Sequence, residues 1–331
     1  MKILRHTLFL VLVFVVTSAN TGDDLLSKKK LSENKKDAEP PLCKNVIGVL
    51  NPNTSRNENY IFDPSIYELR IDTLPQIKYW RTVMNLGEDS ALVCFAHNRN
   101  VIDVLDLKTY DRRNEAFKKS YRDSLKCCYS LDSSCRVLVT GGKRFFYDFD
   151  KASVNFQRGI HCFIQNEVDP WYAQAILLIE SPNKLQKSNV GAYGPFQLMK
   201  DVARLFGLKV NRQVDERADF ERSAYAASSL IKKVCIPRVR QMLDSLRICE
   251  VNETDLWFRL LVMHVYHAGF YNVQKALFTF NPSQGNMDII YNLWKTQAGK
   301  FKMASQNYSQ LVLAAMIEMD KRSGALNQAR E

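Results

Sequence analysis

The chain has 331 residues, of which 46% are hydrophobic and 24% are charged, and its formal net charge is +11. This length suits about two domains, and the composition excludes a collagen-like or wholly disordered chain. A net positive charge indicates an acidic partner, and nucleic acid is one candidate. The sequence shows no zinc finger, no RNA-binding signature and no basic heptads, so only the charge supports a nucleic-acid partner. Because the first residues also have the pattern of an export signal, we expect no nucleic-acid partner.

The first residues have the pattern of a secretory signal peptide. Residues 2–6 include three basic side chains, residues 7–16 form an apolar run, and residues 17–19 are small, as a cleavage site after Ala19 requires. The apolar run has about half of the roughly 20 residues that a membrane-spanning helix needs. We therefore expect residues 1–19 to be a removed signal peptide, with an uncleaved anchor as the alternative. No cysteine lies near the cleavage position, which argues against a lipoprotein.

The next part of the chain divides into a leader and an accessory region. Residues 20–60 are polar and carry lysine runs and a Pro-Pro pair, which predicts a flexible leader. Residues 61–155 have a mixed α/β pattern, with a helix expected over residues 90–104 and a strand over residues 136–140. No catalytic constellation is apparent there, so we expect a structural or positioning role.

Strongly helical patterns begin at Pro170, and we assign residues 156–331 to a helical domain. Residues 171–179 (WYAQAILLI) are apolar on nearly all sides, which predicts a buried helix. Caps and apolar spacing predict further helices. These are residues 195–206 closed by Gly207, a helix capped by Asp219, a helix capped by Thr254 that runs to about His267, and a last helix over residues 308–321. The expected fold is mainly α, with a smaller mixed α/β region in front.

Eight cysteines are present, and an even number allows disulfides in an oxidising compartment. Their connectivity cannot be read from the sequence. A bond between Cys235 and Cys249, which flank a possible connection between helices, is one candidate. No CxxC pair occurs, so we expect no structural zinc site.

Glu180 is the most informative single residue. It ends the apolar helix over residues 171–179, and a carboxyl group in such surroundings loses hydration. Desolvation raises the pKa of a carboxyl group and keeps it protonated near neutral pH, as a general acid requires. The alternative interpretation is a glutamate that reaches water at a helix end.

A loop with recognition chemistry follows Glu180. It reads SNVGAYGPFQLM over residues 188–199, and Gly191 and Gly194 allow tight turns and the close approach of a ligand. Gln197 can both donate and accept hydrogen bonds, as sugar recognition requires, and Met199 offers an adaptable apolar wall. Each of these signals is weak when taken singly.

Together, the Glu-Ser pair and the loop resemble the active-site signature of bacterial lytic transglycosylases with a goose-lysozyme-like SLT domain. Three further stretches resemble the membrane-bound lytic murein transglycosylase D type. They are ARLFGL at residues 203–208, VDERAD at residues 214–219 with the following helix, and YHAG at residues 266–269 with Asn272 and Val273 beyond. The resemblance covers about residues 165–280.

The resemblance implies a lysozyme-like domain and assigns a role to individual residues. Glu180 matches the catalytic acid/base, and Tyr266 matches a tyrosine that hydrogen-bonds and orients the glutamate. The residues implied to contact or surround the sugar are Ser181, Ser188, Gln197, Met199, Tyr266 and His267. The sequence departs from the family pattern at His267, where asparagine is usual, and at Tyr271, where glycine is usual. These departures predict altered sugar contacts, with loss of activity as the alternative.

The implied activity is cleavage of the β-1,4 bond between N-acetylmuramic acid and N-acetylglucosamine in peptidoglycan, with formation of a 1,6-anhydro ring. Ordinary glycosidases use two carboxylates, whereas this signature has one, and Asp215 and Glu216 are interpreted as structural charges. We expect no cofactor and no metal, since His264 and His267 lack a third ligand. The implied partners are peptidoglycan strands and cell-envelope proteins, and the implied location is the periplasm, the cell envelope or the exterior.

Two other functions stay open from the sequence. One is a hydrolytic lysozyme or chitinase on the same fold, because the acid is common to both reactions. The other is a catalytically inactive protein that binds the cell wall, which the departures at His267 and Tyr271 suggest.

Overall fold

The computed structural model describes residues 46–51, 56–147, 149–180 and 187–324. The expected signal peptide, the first part of the leader, and Ser181 lie outside the described residues. Within the predicted leader, β1 (Val46–Asn51) and β2 (Arg56–Ile61) pair as an antiparallel hairpin. The prediction of a flexible leader up to residue 60 is therefore wrong for its last part, because these residues form a regular hydrogen-bonded ladder.

Short helices and a three-stranded sheet follow the hairpin. Their order is α1 (Ser65–Glu68), α2 (Pro75–Asn85), β3 (Ser90–Phe95), β4 (Val101–Asp106), α3 (Leu107–Arg112), α4 (Glu115–Cys128) and β5 (Val137–Gly141). Strand β3 lies between β4 and β5 and is antiparallel to both. The predicted strand at residues 136–140 is confirmed with a shift of one residue.

The predicted helix over residues 90–104 is wrong, because this stretch forms β3, a turn and β4. Residues 91–95 are all buried, and a short apolar run does not distinguish a buried strand from a buried helix by periodicity. The strand is favoured here because β5, about 40 positions later in the chain, supplies its second hydrogen-bonding edge.

The rest of the described chain is helical. It contains α5 (Phe149–Gln165), α6 (Trp171–Glu180), α7 (Lys200–Leu205), α8 (Phe220–Leu230), α9 (Ile236–Ser245), α10 (Leu256–Ala268), α11 (Phe270–Phe280), α12 (Met287–Leu293) and α13 (Met303–Ser323). The fold is therefore mainly α, with a small antiparallel sheet in its N-terminal region, as the sequence predicts. No helix in the described ranges has both the length and the apolar character needed to cross a bilayer.

Helix α6 is the centre of the helical part. All ten of its residues are buried, as the all-round apolar pattern predicts, and α5 and α13 pack against it. Helix α13 is longer than predicted and is buried from Ser305 to Asp320, including its polar residues. Its first turns are polar, so apolar periodicity does not predict that the helix begins before residue 308.

Helix boundaries follow their capping residues where a cap is present. Asp219 caps α8 by accepting a hydrogen bond from the backbone N–H of Arg222, which confirms the prediction. Helix α10 starts one residue later than expected, with Asp255 rather than Thr254 at the cap position. Helix α7 starts at Lys200 instead of Pro195, because residues 193–198 form a tight turn closed by a β-bridge.

The N-terminal region and the helices share one hydrophobic core, which extends from Tyr60 to Met319. The expected boundary between residues 155 and 156 falls inside α5. A buried polar network also crosses it: Asp63 accepts from Trp171 Nε1 at 3.0 Å and lies 3.3 Å from Arg259 Nη1. Gln174 of α6 exchanges two hydrogen bonds with the backbone of Ile61 in β2. The accessory region is thus packed onto the helix that carries Glu180.

The cysteines in the described residues are free thiols. The candidate bond between Cys235 and Cys249 is therefore wrong. Cys235 is fully buried in a π-helical turn between α8 and α9, whereas Cys249 is exposed beyond the far end of α9. The ten-residue helix α9 lies between the two thiols along the chain.

Candidate active site

Glu180 is the last residue of α6, and its environment is dry. The residue is only 8% exposed. Burial raises its pKa to about 7, although a hydrogen bond from Tyr308 acts in the opposite direction. A carboxyl group with this pKa exchanges its proton near neutral pH, so it can act first as an acid and then as a base.

Among the described residues, Tyr308, in the second turn of α13, forms a hydrogen bond with the side chain of Glu180. Its hydroxyl donates a hydrogen bond to Oε1 of Glu180 at 2.9 Å. Burial and the nearby carboxylate raise the pKa of Tyr308 well above its ordinary value, so the phenol keeps its proton and remains a donor. No sequence motif singled out Tyr308. The available signal was a tyrosine within a polar run at the start of a long helix, and this signal does not identify a partner.

Tyr266 has a different role from the one expected. Its hydroxyl donates to the backbone carbonyl of Phe196 at 2.6 Å. A phenol has one proton to donate, so in this arrangement Tyr266 cannot donate to Glu180, and Tyr308 does so instead. Burial and, to a lesser extent, the charge of Glu180 raise the pKa of Tyr266 well above its ordinary value. It fastens the turn at residues 193–198 to α10.

The loop at residues 188–199 is held by its own polar groups. The N–H of Ala192 donates to the hydroxyl oxygen of Ser188 at 2.9 Å, and Gln197 Nε2 donates to the carbonyl of Gly194 at 3.1 Å. Gly191, Gly194 and Gln197 have positive φ angles of 92°, 87° and 46°. The nearly buried Ser188 and Gln197 therefore shape the loop, and Met199 packs half-buried against the core.

Arg217 stabilises this loop through hydrogen bonds to two of its backbone carbonyl groups. Its Nη1 donates to the carbonyl oxygens of Gly191 and Leu198 at 2.8 Å and 2.9 Å. Asp215 holds the guanidinium through Nε at 2.8 Å and Nη2 at 2.7 Å. The neighbouring Glu216 pairs with Arg222 at 2.9 Å. The acidic residues of the VDERAD stretch thus have structural partners within the fold.

His267 is not placed to contact a sugar, which corrects the expectation from the resemblance. It is 0% exposed. Its ring stacks on the ring of Tyr308, with centroids 4.2 Å apart and an angle of 13° between the planes. Because α10 is buried on all sides, the position that follows Tyr266 faces the interior rather than a cleft. Tyr271, the other departure, is 66% exposed on α11.

The accessory region also contributes to the surroundings of Glu180. Tyr147, two residues before α5, is nearly buried, and the charge of Glu180 adds to burial in raising its pKa. The charge of Glu180 thus raises the pKa of three phenols, those of Tyr147, Tyr266 and Tyr308, and all three keep their protons. Nothing in the local sequence indicated Tyr147, because its position relative to Glu180 depends on the packing of α5 on α6.

The fold and this site define a class: a lysozyme-like helical domain in which a buried glutamate, with its pKa raised to about 7, ends a central helix. Residues 164–282 match the family described as Transglycosylase SLT domain. The match covers about a third of the chain, includes Glu180, residues 188–199 and Tyr266, and supports a lytic transglycosylase that acts on peptidoglycan. No curated protein and no solved structure matches the chain.

Proposed function

We propose that this protein is an exported lytic transglycosylase. It cleaves the β-1,4 bond between N-acetylmuramic acid and N-acetylglucosamine and leaves a 1,6-anhydro end. Glu180 is its single acid/base. The observation that carries the proposal is that Glu180 is buried, has a pKa raised to about 7 and accepts a hydrogen bond from Tyr308. The stretches at residues 203–208 and 214–219 favour the membrane-bound D type as the subtype.

The first step is the breaking of the glycosidic bond. Protonated Glu180 donates its proton to the oxygen that links the two sugars, and the bond from that oxygen to the anomeric carbon of N-acetylmuramic acid breaks. The N-acetyl group of the same sugar stabilises the positive charge that develops on this carbon. The Tyr308 hydrogen bond stabilises the carboxylate that Glu180 becomes, because a hydrogen bond to the charged form favours it.

The second step is ring closure. Ionised Glu180 accepts the proton of the 6-hydroxyl group, and that oxygen bonds to the anomeric carbon to form the anhydro ring. Glu180 is then protonated again, and no water is consumed. Because both nucleophiles belong to the substrate, their proximity replaces a second protein carboxylate. The use of Glu180 as both acid and base is supported by its pKa of about 7, which burial raises and the Tyr308 hydrogen bond lowers.

The loop at residues 188–199 forms the proposed sugar-binding wall. Its hydrogen bonds and those from Arg217 fix the loop, and a fixed loop positions a sugar without further ordering on binding. We assign Ser188, Gln197 and Met199 to this wall, together with Ser181. His267 is left out because it is buried behind Tyr308.

The decisive experiment is product analysis. Purified protein is incubated with peptidoglycan, and the soluble fragments are examined by mass spectrometry. Anhydro ends, which are lighter by one water than reducing ends, support the proposal. Reducing ends identify a hydrolytic lysozyme, and binding without soluble fragments identifies an inactive wall-binding protein. Either of these two results rejects the transglycosylase.

A further inference from the structure

His267 packs against Tyr308, the residue that donates a hydrogen bond to Glu180. It is in α10, is fully buried, and presents its flat ring to the ring of Tyr308. The two rings are almost parallel, 13° apart, with centroids separated by 4.2 Å. The hydroxyl group of the same Tyr308 ring donates a hydrogen bond to Glu180. The three residues form a chain of contacts from α10 through α13 to α6.

The polar atoms of His267 do not explain its presence in the core. Neither ring nitrogen has a hydrogen-bond partner among the described residues. Burial lowers its pKa to about 3, so the ring is neutral at neutral pH. A buried polar group without partners is unfavourable and needs a reason. What His267 supplies is a neutral, flat surface against one face of Tyr308.

We propose that His267 is a positioning residue: its stacked ring holds Tyr308 in the orientation that delivers the phenolic proton to Glu180, and it thereby sets the acidity of Glu180. The catalytic meaning of this inference rests on the proposed function. The contact itself, and its effect on the acidity of Glu180, do not.

The physical basis is the rotation of the tyrosine ring. Rotation about the bond from Cβ to the ring is soft, because its energy minima are broad. Parallel packing of a second ring restricts that rotation and is itself favourable. If Tyr308 tilts, its hydroxyl moves away from Glu180 and the hydrogen bond weakens. Since this bond lowers the pKa of Glu180, its loss raises that pKa.

The other titratable groups near this chain of contacts are uncharged. Tyr147, in the segment before α5, and Tyr266, in α10, both have pKa values that burial and the charge of Glu180 raise, so both phenols are neutral. Cys235, which lies near Tyr266 and Tyr308, is fully buried, and burial raises the pKa of its thiol. His264 lies one turn before His267, and burial lowers its pKa to about 3. A change in the pKa of Glu180 on substitution of His267 therefore reports on Tyr308.

The test measures the pKa of Glu180 by NMR titration of protein labelled with ¹³C in its glutamate carboxyl groups, with Glu180→Gln to assign the signal. Tyr308→Phe should raise this pKa by about one unit, the equivalent of one hydrogen bond. His267→Leu fills a similar volume without a flat ring, so it should raise the pKa similarly without admitting water. His267→Phe restores a ring and should return the pKa to the wild-type value.

Two further variants separate positioning from general damage to the fold. The double variant His267→Leu with Tyr308→Phe should shift the pKa no more than Tyr308→Phe alone, because both changes remove the same bond. His264→Leu is the matched control, since His264 contacts Ser309 and Phe301 instead of Tyr308. It should lower the melting temperature without moving the pKa of Glu180.

An unchanged pKa in a folded His267→Leu protein, or additive shifts in the double variant, would overturn the inference. If His267→Leu does not fold, His267→Phe and His267→Met provide the same comparison of a flat ring with a flexible chain. The titration does not depend on glycan cleavage. Wild-type protein that releases no fragments would therefore reject the proposed function, while the pKa comparison still decides the role of His267.

Discussion

Tyr308 donates a hydrogen bond to Oε1 of Glu180 at 2.9 Å, although the two residues lie 128 positions apart in the sequence. The bond joins the end of α6 to the beginning of α13. Near its other end, α13 carries Asp320, which accepts hydrogen bonds from Tyr60 and Tyr67 in the N-terminal region. One buried helix thus connects the surroundings of the acid to the part of the chain in which the sequence shows no catalytic residues.

Glu180→Gln should abolish the release of soluble fragments from peptidoglycan. An amide cannot exchange the proton that both steps need, and a positioned acid/base contributes about 10²–10⁴-fold to a rate. Fragment release is measured alongside the circular dichroism spectrum, which should be unchanged. Asp201→Asn is the control, because Asp201 is an exposed carboxylate in the helix after the loop. Full activity in Glu180→Gln would contradict the assignment.

The activity should fall as the pH rises through about 7. Only the protonated form of Glu180 can donate to the glycosidic oxygen, and burial raises its pKa to about 7. The measurement is kcat/KM for a soluble glycan fragment from about pH 5 to about pH 9, because this quantity reports the pKa of the acid in the free enzyme. A profile without a falling limb in this range would assign the proton donor to another group.

Glu180→Gln should make the protein more stable at high pH. The pKa of Glu180 is about 7 in the folded protein, against 4.5 for an ordinary glutamate, so the folded state binds the proton more tightly. The stability that protonated Glu180 contributes is fully present below pH 4.5, the pKa of an ordinary glutamate. It is lost as the pH rises through about 7, the pKa in the folded protein. The variant avoids the buried charge, and above pH 8 its free energy of unfolding should exceed that of wild type by about 3 kcal/mol.

Urea unfolding of both proteins, at an acidic and an alkaline pH, measures this difference. At about pH 4 the two proteins should have similar stability, because Glu180 is uncharged in the folded wild type. A variant that is equally destabilised at both pH values would show that burial does not raise the pKa of Glu180 in the folded protein.

Gly194→Ala should disrupt the loop, whereas Gly191→Ala should be mild. Both glycines have a positive φ angle, which costs about 1–2 kcal/mol for a residue with a Cβ atom. A Cβ atom at Gly194 would also collide with the backbone carbonyl of Arg217, while one at Gly191 meets open space. The melting temperature and the activity of the two variants are compared directly. Equal effects would mean that the Arg217 contact does not constrain the loop.

Asp320→Ala should destabilise the whole fold by about 2–4 kcal/mol, because it removes the acceptor of the Tyr67 hydroxyl and leaves Tyr60 with the longer contact to the carbonyl of Met316. Asp320 is almost completely buried and accepts from Tyr60 at 2.5 Å and from Tyr67 at 2.6 Å. The measurement is the free energy of unfolding in urea. Lys321→Ala, at the next and exposed position of the same helix, should leave it almost unchanged.

The sequence by itself determined the features that depend on neighbouring residues. The all-round apolar run before Glu180 predicted a buried helix with a desolvated carboxyl group at its end, and the structure has both. Asp219 marked the beginning of α8 because a cap is formed within four residues. The order of short motifs between residues 165 and 280 indicated the same domain that the family match covers.

Tertiary structure decided what depends on residues distant in the chain. It selected Tyr308 rather than Tyr266 as the donor to Glu180, turned His267 into the core, and brought Tyr147 to the site. It also made β3 a strand, because β5 provides its second edge. Local patterns record propensity and burial, whereas the choice between two tyrosines depends on how α6, α10 and α13 pack, and no short segment contains that information.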